Sequence, residues 1–219
     1  MAALVAALAR AAAAGAAAAP AVSVVATARV PSVAVYRYPG APAPVRRLAD
    51  PTADGGPLVF LVAQRAGGWA RVFLPIRPNG STGWMRESQV TLALDPYAVV
   101  VSLGRHTVSV LRDGRVIRVE RAGVGRSVLP TPQGTYYLYE LLKQPDPRGS
   151  YGPWAFGLSA FSNVLFHFGA GPGEIGLHGT NDPAGLGRSV SHGCIRVSNA
   201  AITALAHLLP LGTPVRIRD

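Results

Sequence analysis

Glycine and proline interrupt this chain so often that it reads as short strands joined by turns: 25 glycines and 19 prolines fall among 219 residues. The strongest local signal is Asp113-Gly114, set between the alternating runs 106–111 and 116–120. An Asp-Gly pair supplies the two residues that a tight hairpin turn needs. Further strands are expected over 135–142 and 163–168, and Val215-Arg216-Ile217-Arg218 closes the sheet as a final strand. One helix is expected from Ala200 to about Leu209, capped by Ser198 or Asn199 and ended by Pro210 and Gly212. The expected fold class is therefore mainly β with one C-terminal helix. A hydrophobic content of 49% at this length supports one large or two small domains with proper cores.

Three segments are distinguishable. Residues 1–30 form an alanine-rich leader, in which Met1 to Ala28 is almost all alanine and valine with one charged interruption at Arg10. This leader resembles a signal peptide, with Ala26-Thr27-Ala28 as a small-residue cleavage site, and implies an extracytoplasmic location. An uncleaved anchor or a disordered leader is the alternative, and alanine is a feeble lipid anchor. Residues 31–95 change to short strands with strong turns: Leu58 to Gln64, then Gly67-Gly68, Trp69 to Leu74, and a turn at Pro78-Asn79-Gly80-Ser81 into Gly83-Trp84. Several short strands with hairpin turns suggest a small barrel or sandwich. The Gly-Trp pairs at Trp69 and Trp84 make the segment resemble a bacterial SH3-like module. Such a module either binds wall peptide or positions substrate, or is a spacer whose aromatics fill its own core. Residues 96–219 form the third segment.

That third segment holds the only cysteine, Cys194, which excludes a disulfide within the chain and a zinc site of four sulfurs. A lone cysteine is commonly an inert buried hydrophobe, but the flanking residues favour a nucleophile. Gly193 leaves space beside the sulfur for a substrate carbonyl. His178 and His192 both lie close in sequence and are candidates to raise the thiolate fraction.

The run Ile175-Gly176-Leu177-His178-Gly179-Thr180-Asn181-Asp182-Pro183, followed by Ser191-His192-Gly193-Cys194-Ile195-Arg196-Val197, resembles the signature of the L,D-transpeptidase (YkuD) catalytic domain. Upstream, Gly123-Val124-Gly125-Arg126 and the segment 131–137 extend the resemblance, which covers roughly Tyr97 to Asp219. It implies Cys194 as nucleophile, His178 as general base and then acid, and backbone N–H groups of His192, Gly193 and Cys194 as an oxyanion hole. Ser191 and Asn199 are read as shaping the loop and capping the segment after it, and Gly179 as supporting the site. Arg196 is either a solvent-facing cation or a grip on a substrate carboxylate. The group that orients His178 is open between Asn181, Asp182 and a backbone carbonyl. The connection Gln144 to Gly157 is implied to lie over the site as a lid, with Tyr151 and Trp154 lining the cleft. His167 is read as structural, and His106 and His207 as surface residues.

The implied reaction acylates Cys194 with a peptidoglycan stem tetrapeptide, releases D-alanine, and passes the acyl group to the amine of a second stem peptide. No cofactor or resident metal is implied, and carbapenem-type β-lactams are implied to acylate the same sulfur. Water as acceptor makes the protein an L,D-carboxypeptidase. A zinc-site hydrolase built on His178, His192 and Cys194, and a non-catalytic wall-binding protein, are the readings from other classes. The net charge of +10 is carried almost wholly by arginine, Lys143 being the sole lysine. Genomic base composition explains that skew as readily as function does. Anionic wall polymers are the natural counterparts if the charge is used, whereas scattered basic residues without a motif argue against nucleic acid. A membrane is involved only through the N-terminal segment if it is not cleaved.

Overall fold

The computed structural model describes residues 22–169 and 171–219. The N-terminal unit is made of β1 (Ser23–Ala28), β2 (Ser32–Val35), β3 (Arg46–Ala49), β4 (Val59–Ala66), β5 (Trp69–Phe73), β6 (Thr82–Arg86) and β7 (Val90–Asp95). Five of these form an antiparallel sheet in the order β6-β5-β4-β1-β7, and β2 pairs with β3 as a ribbon tied to β6 by the Tyr36–Trp84 bridge. Val33, Val35, Phe60, Val72 and Met85 fill its core. Trp69 packs edge-on against Tyr36 with the Arg86 guanidinium 4.7 Å over its ring, so it serves the unit's own packing.

β1 moves one expected boundary. Residues 1–21, the bulk of the leader, lie outside the described residues, but Ser23–Ala28 is a strand paired on both sides, with β4 and with β7. Val25 and Ala26 are buried. The segment expected to hold a cleavage site at Ala26-Thr27-Ala28 is therefore an interior strand of the sheet. Its Val-Val-Ala-Thr-Ala composition suits a small-residue signal and a packed strand equally, which is why the sequence misled.

The C-terminal domain continues with β8 (Tyr97–Ser102), β9 (Thr107–Arg112), β10 (Arg115–Arg121), β11 (Val124–Gly125), β12 (Gly134–Lys143), β13 (Trp154–Phe161), β14 (Glu174–His178), β15 (Ser189–Ser191), β16 (Ile195–Arg196), α1 (Asn199–Leu208) and β17 (Pro214–Arg218). Eight strands make one curved sheet in the order β10-β9-β8-β17-β12-β13-β14-β16. The Asp113-Gly114 hairpin forms as expected, with φ of 51° and 75°. The last strand does not close an edge. It runs parallel to β8 and antiparallel to β12 in the middle of the sheet, where Val215 and Ile217 are buried. Ser198 caps α1 by accepting the Ala201 N–H at 3.1 Å, and Ile202 and Leu205 bury the helix against β13 and β14.

The strand expected at 163–168 is absent. There the Ser162 hydroxyl accepts the N–H groups of Val164 and Leu165, and the chain turns out of the sheet instead of pairing. His167 lies exposed on this connection rather than in a structural position.

The two units share a third apolar cluster. The first half of β4 is buried on both faces: Phe60 points into its own core, while Val59 and Leu61 pack on Tyr137 of β12. Asp95 Oδ2 accepts the Thr213 hydroxyl at 2.7 Å, and Gly212 sits against Val25 with no room for a Cβ. Among the described residues no helix is long and apolar enough to cross a membrane.

Candidate active site

β14 and β16 run parallel, with Leu177 opposite Ile195 and His178 opposite Arg196. Side chains alternate along a strand, so Leu177 and Ile195 go into the core beneath α1 while Gly176, His178, Cys194 and Arg196 share the other face. That face floors a cavity of about 220 Å³, whose lining also includes Tyr151, Leu165, Phe168, Ile175 and His192. A neighbouring opening reaches the same sulfur and imidazole past Glu140 and Glu174. Arg196 and Glu174 both line the first opening, and Glu140 lines the second.

His178 is 3% exposed. Its Nδ1 lies 2.6 Å from the Gly179 carbonyl, and because a carbonyl only accepts, this nitrogen carries the proton and Nε2 is left as the basic atom. A backbone carbonyl is thus the orienting group; Asn181 and Asp182 are not. Burial lowers the imidazole from its ordinary value near 6.5 to about 4, with the Arg196 charge acting in the same direction and the Gly179 hydrogen bond opposing both. Burial also pushes the Cys194 thiol up, against the Gly176 N–H at 3.4 Å from Sγ and the Arg196 charge, which pull it down. At neutral pH the resting pair is therefore a neutral imidazole beside a protonated thiol.

The loop that carries the sulfur is held from below. Ser191 is wholly buried, and its hydroxyl donates to the Cys194 carbonyl at 2.6 Å and accepts the Gly193 N–H at 3.1 Å. Gly193 adopts φ of 121°, a region that L side chains rarely enter. Thr131 Oγ1 donates to the Gly193 carbonyl at 2.7 Å and accepts the Gly125 N–H at 2.9 Å, so the upstream motif is a strut beneath the loop. Because Gly193 gives its N–H to Ser191, the expected oxyanion hole of three amides is reduced: His192 and Cys194 keep their N–H groups open among the described residues.

The remaining candidates divide. Tyr151 stands in the cleft, its ring centroid 4.6 Å from that of His178. Trp154 does not line the cleft. Strand parity puts its neighbour Ala155 on the cleft side opposite His178, while Trp154 faces α1 and packs edge-on to His207. His192 is exposed and lies 5.8 Å from the Phe168 ring, on the cavity rim. Arg196 faces the cleft, and its Nε is buried without a hydrogen-bond partner among the described residues. Asn199 accepts the Thr180 N–H at 2.8 Å and pins the turn after His178, whereas Ser198 does the capping. His106 bonds Ser189 across 2.9 Å at the surface. His178, His192 and Cys194 do not form a metal-holding group, and no group of three such ligands occurs among the described residues.

Gly176 was not among the residues that the sequence singled out. A Cβ built there lies 3.5 Å from His178 Cδ2 and 3.9 Å from Cys194 Sγ, so glycine keeps the space between base and sulfur open. The signal was present as Gly176-x-His178 and Cys194-x-Arg196, two same-face pairs on adjacent strands.

The chain is similar in sequence to proteins of one family. A family model described as the L,D-transpeptidase catalytic domain, YkuD, matches residues 96–217. A Bacillus subtilis protein, YkuD, whose name assigns it by inference to the L,D-transpeptidases, is 35% identical over 122 residues, covering 56% of this chain and 66% of that protein. A second Bacillus subtilis protein named in the same way, YqjB, is 30% identical over 136 residues, covering 57% of this chain and 72% of its own length. The chain thus spans just under two thirds of the first relative. The solved L,D-transpeptidase from Mycobacterium smegmatis is 18% identical with a TM-score of 0.45, over 72% of this chain and 98% of that one. By the match over 96–217, which covers more than half of its length, this chain belongs to the L,D-transpeptidase catalytic domain family.

Proposed function

We propose that the protein is a peptidoglycan L,D-transpeptidase that works through a thioester on Cys194. The observation that carries this reading is the shared face of β14 and β16, which sets the sulfur, an imidazole with a free Nε2 and a guanidinium on the floor of one cleft.

In the first half-reaction, Sγ attacks the carbonyl between the third and fourth residues of a donor stem tetrapeptide while Nε2 of His178 takes the thiol proton. The N–H groups of His192 and Cys194 receive the developing oxyanion, a contribution of roughly 3 kcal/mol per donor. The C–N bond breaks, His178 returns its proton to the leaving amine, and D-alanine departs. In the second half, the amine of an acceptor stem peptide attacks the thioester and gives a proton to His178. The C–S bond breaks and Cys194 recovers that proton. Water in place of the amine gives the L,D-carboxypeptidase product from the same residues. Arg196 binds a donor carboxylate, which would satisfy its buried Nε. A location outside the cytoplasm, the SH3-like reading of the N-terminal unit and contact with anionic wall polymers are parts of the same proposal.

Chromatography and mass spectrometry of a disaccharide tetrapeptide incubated with the protein test the reaction. The transpeptidase reading expects a dimer joined through two third-position residues. Tripeptide alone selects the carboxypeptidase, and recovery of unchanged tetrapeptide defeats both.

A further inference from the structure

The connection from β13 to β14 forms one wall of the cleft, through Ser162, Leu165, Phe168 and Gly173. Its own bonds are local: Ser162 N–H reaches the Gly173 carbonyl at the neck, the Ser162 hydroxyl accepts the N–H groups of Val164 and Leu165, and Phe168 bridges Gly171 near the tip. Between these points the carbonyls are gathered by the N-terminal unit. Arg77, in the turn between β5 and β6, donates to Ser162 O at 2.8 Å, Leu165 O at 3.1 Å and Pro172 O at 2.9 Å. These acceptors lie on both limbs of the connection, so one guanidinium ties entry to exit. Its planar face also lies 5.1 Å from the Phe161 ring centroid and 4.8 Å from that of Phe166.

Two residues on, Asn79 completes the tie. Its side-chain amide donates to Phe161 O at 2.7 Å and accepts Phe161 N–H at 2.8 Å, as a paired strand would. No residue of the N-terminal unit lines the cleft itself. The unit nevertheless supplies bonds to both limbs of this wall.

We propose that Arg77 and Asn79 are positioning residues for the reaction at Cys194: the N-terminal unit acts as a clamp that sets the width of the donor cleft through the β13–β14 connection. An arginine suits the task because five fixed N–H groups engage several carbonyls at once, which a lysine ammonium on a flexible stem does poorly. Phe168, near the tip of the connection, has its ring centroid 5.8 Å from that of His192, whose backbone N–H is given to the oxyanion in the reaction proposed above. The clamp therefore reaches the reacting centre through one ring contact.

The inference rests on the cleft being the donor site, so the test has one arm that needs no turnover. The full chain, Arg77→Ala, Arg77→Lys and Asn79→Ala are compared by hydrogen exchange, by kinetics with the disaccharide tetrapeptide, and by iodoacetamide alkylation of Cys194. Arg77→Ala is expected to speed exchange in 163–169 about tenfold while β4 to β6 and β14 keep their protection. KM for the donor should rise roughly tenfold with kcat within about threefold, because the wall binds and does not react. Alkylation by the small reagent should stay within about twofold, since the sulfur is not moved. Arg77→Lys should restore less than half of the lost protection, and Asn79→Ala should show the same pattern more weakly and stands in if Arg77→Ala does not fold. Unchanged exchange and KM in both alanine variants would overturn the clamp, as would loss of protection spread across the whole N-terminal unit. If the wild-type chain makes no product, the functional reading falls and the exchange arm alone decides the clamp.

Discussion

At the scale of single residues, the chemistry turns on how burial sets His178 and Cys194. The sulfur needs a base that is neutral before attack, and an imidazole lowered to about 4 is neutral throughout the physiological range. The acid limb of the acylation rate should therefore fall near pH 4; a pH–rate profile with its midpoint near 6.5 would contradict the burial argument. The same shift enters stability. An unfolded chain titrates this group near 6.5 and the folded one near 4, so between those values the unfolded state binds more protons. Stability from this group is full above 6.5 and is lost as pH falls through 4, approaching about 3 kcal/mol. Denaturant melts of His178→Gln should lack that part of the acid dependence. Gly176→Ala is the complementary test. The added methyl meets only ordinary contacts, so stability should change by less than about 1 kcal/mol. Donor acylation should fall at least ~tenfold because the methyl enters the space between base and sulfur. An Ala variant that acylates normally would remove Gly176 from the site.

At the scale of elements, strand parity explains both what the sequence revealed and what it hid. The Cys194 and His178 motifs were legible because their spacing and composition are unusual, and the Asp113-Gly114 hairpin because its turn chemistry is local. Trp154 was misplaced because aromaticity in a loop does not say which face a subsequent strand will present, and parity sends it beneath α1. Thr131 was visible only as part of a motif, since its two hydrogen bonds join segments 62 residues apart and 6 residues apart. β1 was hidden by composition. If the chain were cut after Ala28, the sheet would lose the strand between β4 and β7 together with the burial of Val25 and Ala26. A fragment from residue 29 should therefore melt well below one that begins at residue 22, by more than the ~1 kcal/mol of an ordinary substitution. Equal melting temperatures would show that β1 contributes little.

At the scale of the whole molecule, the two units meet over an apolar cluster centred on Tyr137, which is wholly buried with its hydroxyl unpaired among the described residues. Such a group costs about 1–3 kcal/mol where no partner is found. Tyr137→Phe should therefore raise the melting temperature, and a fall would show that the hydroxyl has a partner. This union of units was the least legible part of the chain, because Val59, Leu61 and Tyr137 read only as strand residues until both faces of the first half of β4 are seen to be covered. It also lets Arg77 and Asn79 reach a cleft that the N-terminal unit does not line. The central claim, a covalent thioester on Cys194, is tested most directly by the intact mass of the protein after brief exposure to a disaccharide tetrapeptide. The account predicts an added mass equal to the donor less D-alanine, mapped to Cys194, absent in Cys194→Ala and discharged by an acceptor amine. Product formation with Cys194→Ala, or an adduct mapped to another residue, would contradict it.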